Sequence, residues 1–130
     1  MATAQLQTAA STTGLGGPAL RSFFKIADAW SLSEREQMKL LGLESRSTLQ
    51  SWKAGRVAKI SADTLERISY MLGIFKAINI LLPDHDRADA WMRAPNTAPL
   101  FGGRSALDRM TSGLVSDLFL VRQYLDAQRG

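Results

Sequence analysis

Residues 31–55 read SLSEREQMKLLGLESRSTLQSWKAG, and this stretch predicts two short helices joined by a tight turn. Ser33 and Glu36 have the spacing of a capping box, in which a serine and a glutamate satisfy the free N–H groups at a helix start. Gly42 comes directly after the apolar end of the first helix, where a glycine can adopt the left-handed conformation that ends a helix. A second helix can begin only a few residues later, so the two helices must be close neighbours.

The second helix of this stretch has two chemically different faces. Ser45 or Ser47 can cap its start, while Leu49 and Trp52 lie three residues apart on one face, which predicts that both are core residues. The other face carries side chains that hydrogen-bond base edges or phosphates, namely Arg46, Gln50 and Lys53. The pair is therefore either a helix-turn-helix unit that reads the DNA major groove or an ordinary amphipathic helix pair with a polar solvent face.

The distribution of charge favours the first of these interpretations. The net charge of the chain is +4, and residues 1–60 contain eight basic and four acidic side chains, whereas residues 61–130 contain eight of each. The excess positive charge therefore surrounds the helix pair, as contact with phosphates would require. We predict a DNA-binding surface that consists of Arg46, Ser47, Gln50, Lys53, Arg56 and Lys59. Within this surface, Arg56 and Lys59 are expected to contact phosphates.

The composition argues against an enzyme, a metal site and a resident cofactor. The chain has no cysteine and a single histidine, His85, whereas a metal site needs several converging ligands. No phosphate-binding loop and no nucleophile elbow is present. The N-terminus does not resemble a signal peptide, and the longest apolar run is too short and too polar to span a membrane. We therefore expect a cytoplasmic protein without a membrane partner.

The periodicity predicts an all-α fold in three regions. Residues 1–17 are rich in small and polar side chains and predict a mobile tail, after which Pro18 suits the first turn of a helix. Residues 18–82 form the predicted helix-turn-helix and dimerisation region. Its last helix, from Ser61 to about Ile80, has so wide an apolar surface that it is either the central helix of the fold, part of a homodimer interface, or both.

Residues 83–130 predict a second, smaller helical region. We expect a turn over residues 83–86, a short helix over about 87–93 and a loop over 96–103. Ser105 and Asp108 have the spacing of another capping box. The last helix is expected over about 114–127, with one apolar stripe formed by Leu114, Leu118, Val121 and Leu125.

Residues 90–110, AWMRAPNTAPLFGGRSALDRM, and residues 121–130, VRQYLDAQRG, resemble the toxin-binding domain of the Xre/MbcA/ParS antitoxins. The matching features occur in the same order as in that family, and they include Trp91, the Pro95–Asn96 pair, the Gly102–Gly103 turn, Tyr124 and the Arg129–Gly130 end. An Xre-like helix-turn-helix ahead of this domain is also the arrangement of that family.

The resemblance implies an antitoxin that binds and neutralises a RES-domain toxin, which depletes NAD, and that represses its own operon. The catalytic chemistry would then belong to the toxin. We predict toxin contacts at Trp91, Pro95, Asn96, Tyr124, Arg129 and Gly130. The alternative is a stand-alone transcription regulator whose C-terminal half dimerises or senses a ligand, and a neighbouring gene for a RES protein would distinguish the two.

Overall fold

The computed structural model describes residues 2–57 and 59–130, with side chains from residue 16 onward. The described residues form seven helices and no strand, which confirms the all-α prediction. In chain order these are α1 (Ala2–Ala29), α2 (Glu34–Leu41), α3 (Arg46–Lys53), α4 (Ala62–Leu81), α5 (His85–Trp91), α6 (Ala106–Met110) and α7 (Val115–Gln128).

The predicted caps form at the helix starts. The Ser33 hydroxyl accepts a hydrogen bond from the Glu36 N–H at 3.1 Å, and the Glu36 carboxylate accepts one from the Ser33 N–H at 2.8 Å. Gly42 ends α2 with φ of 73°, in the left-handed region. Ser45, rather than Ser47, caps α3, and Ser61 caps α4. These local signals are decided within one helical turn, so they can be read from the sequence.

Helix α4 is the centre of the fold. It packs against α1, α2, α5 and α7, and its inward side chains are fully buried, which confirms the prediction of a central helix. Two of its apolar side chains remain exposed to solvent: Leu72 is 39% exposed and Ile80 is 48% exposed. One core joins the N-terminal and C-terminal halves, and its buried members include Phe23, Leu40, Leu49, Met71, Ile74, Met92, Met110, Leu118 and Val121.

Helix α1 extends further than the sequence predicts. Most of the predicted mobile tail, residues 1–15, has no described side chains, so its mobility stays a prediction. Gly16 and Gly17 are helical, and Pro18 lies inside α1 rather than in its first turn. Gly16 is buried against the side chains of Val57 and Ile60, which gives the helix a packing partner before the proline.

The C-terminal half differs from the prediction in the start of α5 and in the exposure of Leu114. The Asp84 carboxylate accepts hydrogen bonds from the N–H groups of Asp86 and Arg87, so α5 begins two residues earlier than expected. The expectation that Leu114 belongs to the buried stripe is wrong, because this side chain is 61% exposed. Gly113 turns the chain with φ of 97°, and Leu114 follows in an extended conformation before α7 begins.

None of the helices in residues 2–57 and 59–130 combines the length and apolarity needed to cross a membrane.

Candidate functional site

The orientation of α3 is set by one buried side chain. Leu49 is completely buried, and it is the only fully buried residue that α3 contributes among the described residues. Trp52, which we predicted to be core, is only half-buried at the rim between α1 and α3. That prediction is therefore wrong in degree, because α1 leaves a cavity beside the indole instead of closing over it.

Four of the predicted DNA-binding residues share one outer surface. The exposed side chains of Arg46, Ser47 and Gln50 line a shallow groove of about 540 Å³ together with Ser51 and Arg56. The groove lies on the side of α3 away from Leu49. These residue types can meet base edges and phosphates at the same time, as a helix in the major groove must do.

The two remaining residues of the prediction lie outside this groove. Lys53 is exposed and lines a separate cavity between α1 and α3, where Arg21 and Lys25 of α1 are its cationic neighbours. Lys59 is exposed in the connector between α3 and α4. The sequence did not indicate Arg21 or Lys25, because α1 is separated from α3 along the chain and only packing brings the two helices together.

Glu34 is a further residue that sequence reasoning missed. Its carboxylate receives Arg46 Nε at 2.8 Å on one oxygen, and the Gln50 side-chain amide donates to the other oxygen. An acidic residue in the first turn of a helix is ordinarily explained by the helix dipole. Here the crossing of α2 and α3 gives it two partners that lie 12 and 16 residues further along the chain.

Arg93 ties the C-terminal half to the start of the helix-turn-helix. Its guanidinium donates to both carboxylate oxygens of Glu36, at 3.0 and 3.1 Å, and to the backbone oxygens of Trp30 and Ser31. The hydrogen bond from Arg93 is the largest cause that lowers the pKa of Glu36 below its ordinary value. The capping box of α2 is therefore also the contact point for the segment that follows α5.

Two of the predicted toxin-binding residues flank a buried aromatic ring. The Phe101 ring packs edge-on against Trp91, with ring centroids 5.9 Å apart, and against Tyr124, with centroids 5.1 Å apart. Phe101 is buried, whereas Trp91 and Tyr124 are each half-buried. The row connects α5, the loop after it and α7, so it presents two aromatic edges on a rigid support.

Asn96 has a structural role in the loop. Its side-chain oxygen accepts the Ala98 N–H at 2.9 Å, and its backbone exchanges hydrogen bonds with Gly103 and Arg104. These bonds close the loop over residues 96–104, and the neighbouring Pro95 is exposed at its edge.

The chain end is open to solvent. Arg129 and Gly130 are exposed, and the Arg129 guanidinium lies 3.7 Å from the Asp126 carboxylate. This ion pair is long and on the surface, so it holds Arg129 only weakly.

Comparison with known proteins identifies two antitoxin domains in the chain. Residues 10–73 match the antitoxin Xre-like helix-turn-helix domain, and residues 77–130 match the antitoxin Xre/MbcA/ParS C-terminal toxin-binding domain. An uncharacterized protein of Sinorhizobium fredii strain NBRC 101917 / NGR234, called y4oB, is 52% identical over 111 residues, which cover 85% of this chain and 84% of that protein. The chain belongs to the Xre-type antitoxins, with an Xre-like helix-turn-helix domain followed by an Xre/MbcA/ParS toxin-binding domain.

Proposed function

We propose that this type II antitoxin neutralises a NAD-depleting RES-domain toxin and represses its own operon by binding the promoter. The observation that carries the proposal is the exposed polar face of α3, fixed by buried Leu49, in a chain whose other half is a toxin-binding domain. Both activities would take place in the cytoplasm, where the operon and NAD are found.

For the DNA activity, α3 would enter the major groove with Arg46 and Gln50 towards base edges. Arginine and glutamine side chains make the paired hydrogen bonds that distinguish one base pair from another. Ser47, Lys53, Arg56 and Lys59 would bind phosphates, which position the protein without reading sequence. One such unit makes few contacts, and two related by a two-fold axis would read paired half-sites.

The DNA proposal is tested by replacing Arg46 and Gln50 together with alanine. Each bidentate base contact is worth about 1–3 kcal/mol of discrimination, so the double variant is expected to lose the promoter shift in a gel assay. Toxin binding is expected to stay at the wild-type level. Arg87→Ala is the matched control, because Arg87 is an exposed cation on α5. Promoter affinity equal to wild type in the double variant would refute the assignment.

For the toxin activity, the exposed end of α7 would enter and block the NAD site of the toxin. Tyr124, Arg129 and Gly130 would contact the toxin, and Trp91, Pro95 and Asn96 would form the neighbouring part of the interface. The support is the continuation of the toxin-binding domain match to residue 130, together with the exposure of Arg129 and Gly130. A steric block needs no chemistry from the antitoxin.

Removal of residues 126–130 tests the blocking end. The truncated chain keeps buried Leu125, so it is expected to fold and to shift the promoter normally. Toxin from the neighbouring gene should then consume NAD in its presence, whereas the full chain should copurify with the toxin and stop consumption. Arg35→Ala, at an exposed cation of α2 outside the predicted toxin contacts, should protect fully. Full protection by the truncated chain would show that inhibition comes from elsewhere.

We also propose a homodimer, at least on DNA. A groove lined by Leu65, Leu72 and Gly73 of α4 and by residues of α1 and α7 leaves apolar surface open on the central helix. Light scattering of the free chain and of the promoter complex is expected to give a dimer mass in the complex. A monomer mass in both samples would count against the dimer, and Leu72→Glu would test this surface.

A further inference from the structure

The carboxylate of Glu34 holds both of the side chains that we assign to base reading. One oxygen pairs with Arg46 Nε at 2.8 Å, and the other accepts a hydrogen bond from the Gln50 amide. Glu34 is the first residue of α2 and lies between Ser33 and Glu36, whose capping-box hydrogen bonds fix the start of the helix. The anchor therefore comes from a different helix than the side chains that it holds.

The pairing leaves both partners able to recognise a base. It uses the Nε–H of Arg46, whereas Nη1 and Nη2 make no hydrogen bond within residues 2–57 and 59–130. These two nitrogens can still meet the paired acceptors of a guanine end-on. Gln50 gives one amide N–H to Glu34 and keeps its second N–H and its oxygen, which are the groups that adenine requires.

The exposed fractions of the two side chains indicate that Glu34 holds Arg46 in place. The Arg46 side chain is 74% exposed, whereas the Glu34 side chain is 36% exposed. A long exposed arginine without a partner samples many rotamers, and fixing it on DNA costs entropy. A carboxylate that is already in place removes part of that cost for one orientation of Arg46.

We infer that Glu34 is a positioning residue that makes α3 selective for its own site over other DNA. It orients Arg46 and Gln50 for bases, and its negative charge offsets the attraction of Arg46 for phosphates on any sequence. Sequence-independent attraction to phosphates supplies most non-specific binding. Weakening this attraction therefore raises the ratio of affinity for the specific site to affinity for other DNA. The inference rests on the proposed DNA function.

The experiment compares Glu34→Gln and Glu34→Ala with wild type on two duplexes. The first duplex is the sequence that wild type selects from a random pool, and the second is a shuffled version of equal length. Affinities are measured over a series of salt concentrations. Glu44→Gln is the matched control, because Glu44 is an exposed acid in the turn and makes no ion pair or hydrogen bond in the described part of the chain.

Removal of one charge close to the phosphates is expected to tighten shuffled-DNA binding about fivefold in both Glu34 variants. The slope of log affinity against log salt is expected to steepen by about one phosphate contact, as Arg46 becomes available. Glu34→Ala should also bind the selected duplex more weakly, because Arg46 and Gln50 lose their anchor. Glu44→Gln should change the affinities for both duplexes by the same factor, so the ratio of the two affinities should equal that of wild type.

Two results overturn the inference in different ways. If Glu34→Gln and Glu44→Gln have the same ratio of affinity for the selected duplex to affinity for the shuffled duplex, the DNA function stands and Glu34 has no special role. If wild type selects no sequence, the DNA function itself fails and the inference fails with it.

Thermal unfolding of each variant checks folding. The proton exchange rate of Arg46 Nε–H, measured by NMR without DNA, should rise in Glu34→Ala, and an unchanged rate would contradict the anchoring contact.

Discussion

At the scale of single residues, Arg93 makes four hydrogen bonds that connect the C-terminal half to the start of the helix-turn-helix. It binds the Glu36 carboxylate and the backbone oxygens of Trp30 and Ser31. Ser31 has φ of 52°, a left-handed conformation that is unusual for serine, and the hydrogen bond at 2.9 Å stabilises the turn that needs it. Arg93→Ala is expected to lower the free energy of unfolding by about 1–2 kcal/mol, measured by urea denaturation.

The same contact predicts a pH dependence. Arg93 lowers the pKa of Glu36, so the unfolded chain takes up a proton at a higher pH than the folded chain does. This contribution to stability is therefore complete above the unfolded pKa and is lost as the pH falls through the folded pKa. The stability difference between wild type and Arg93→Ala should be largest near neutral pH and should narrow in acid. A difference that does not change with pH would contradict the role of the ion pair.

Gly42 is the residue whose backbone conformation the turn requires. Its φ is 73°, and a side chain there would come within 2.7 Å of Arg67 Nε. Gly42→Ala is expected to lower the free energy of unfolding by at least about 1–2 kcal/mol, because the left-handed conformation disfavours a β-carbon. Gly73→Ala is the matched control, since Gly73 lies within α4 and only the flexible end of Arg122 must move. Equal losses of stability in both variants would contradict this explanation.

At the scale of elements, α3 is held by Leu49 more than by Trp52. Leu49 is completely buried, so Leu49→Ala is expected to cost about 2–5 kcal/mol. Trp52 is half-buried at a cavity rim, so Trp52→Ala is expected to cost less than Leu49→Ala, contrary to the full core penalty that the sequence suggests. Urea denaturation of the two variants measures the order, and a larger loss in Trp52→Ala would restore the original prediction.

At the scale of the whole molecule, the two predicted regions share one core. Helix α4 packs along α7, and the buried residues Leu118, Val121 and Leu125 come from the C-terminal half. Buried Arg67 of α4 also donates to the backbone oxygen of Gly113 at 3.0 Å. The boundary after residue 82 therefore separates stretches of sequence and does not separate cores.

This shared core predicts that residues 1–82 do not fold stably alone. Removal of residues 83–130 would expose the apolar face of α4 that now meets α7, and burial of such a face is the main favourable term in folding. Circular dichroism of the fragment should show reduced helix content, and the full chain should unfold in one calorimetric transition. A fragment that melts cooperatively, or two transitions in the full chain, would show that the halves fold independently.

The residues that sequence reasoning located are those with short-range signals. The capping box of Ser33 and Glu36, the helix end at Gly42 and the cap at Ser105 depend on contacts within three residues, so the pattern itself carries them. The start of α5 was misplaced because Asp84 caps a helix that begins at His85, two residues before the predicted start at residue 87. Exposure at Leu114 was missed because spacing alone does not show that Gly113 redirects the chain.

The sequence by itself determined the all-α class, the helix-turn-helix and, through its resemblance, the antitoxin family, because periodicity, caps and motif order are local properties of the chain. The tertiary structure alone decided that Glu34 holds Arg46 and Gln50, and that Arg93 binds Glu36 from 57 residues away. It also decided that Phe101 sits between Trp91 and Tyr124. These contacts depend on how helices cross, and a crossing is set by the fit of many side chains at once, which no single stretch of sequence encodes.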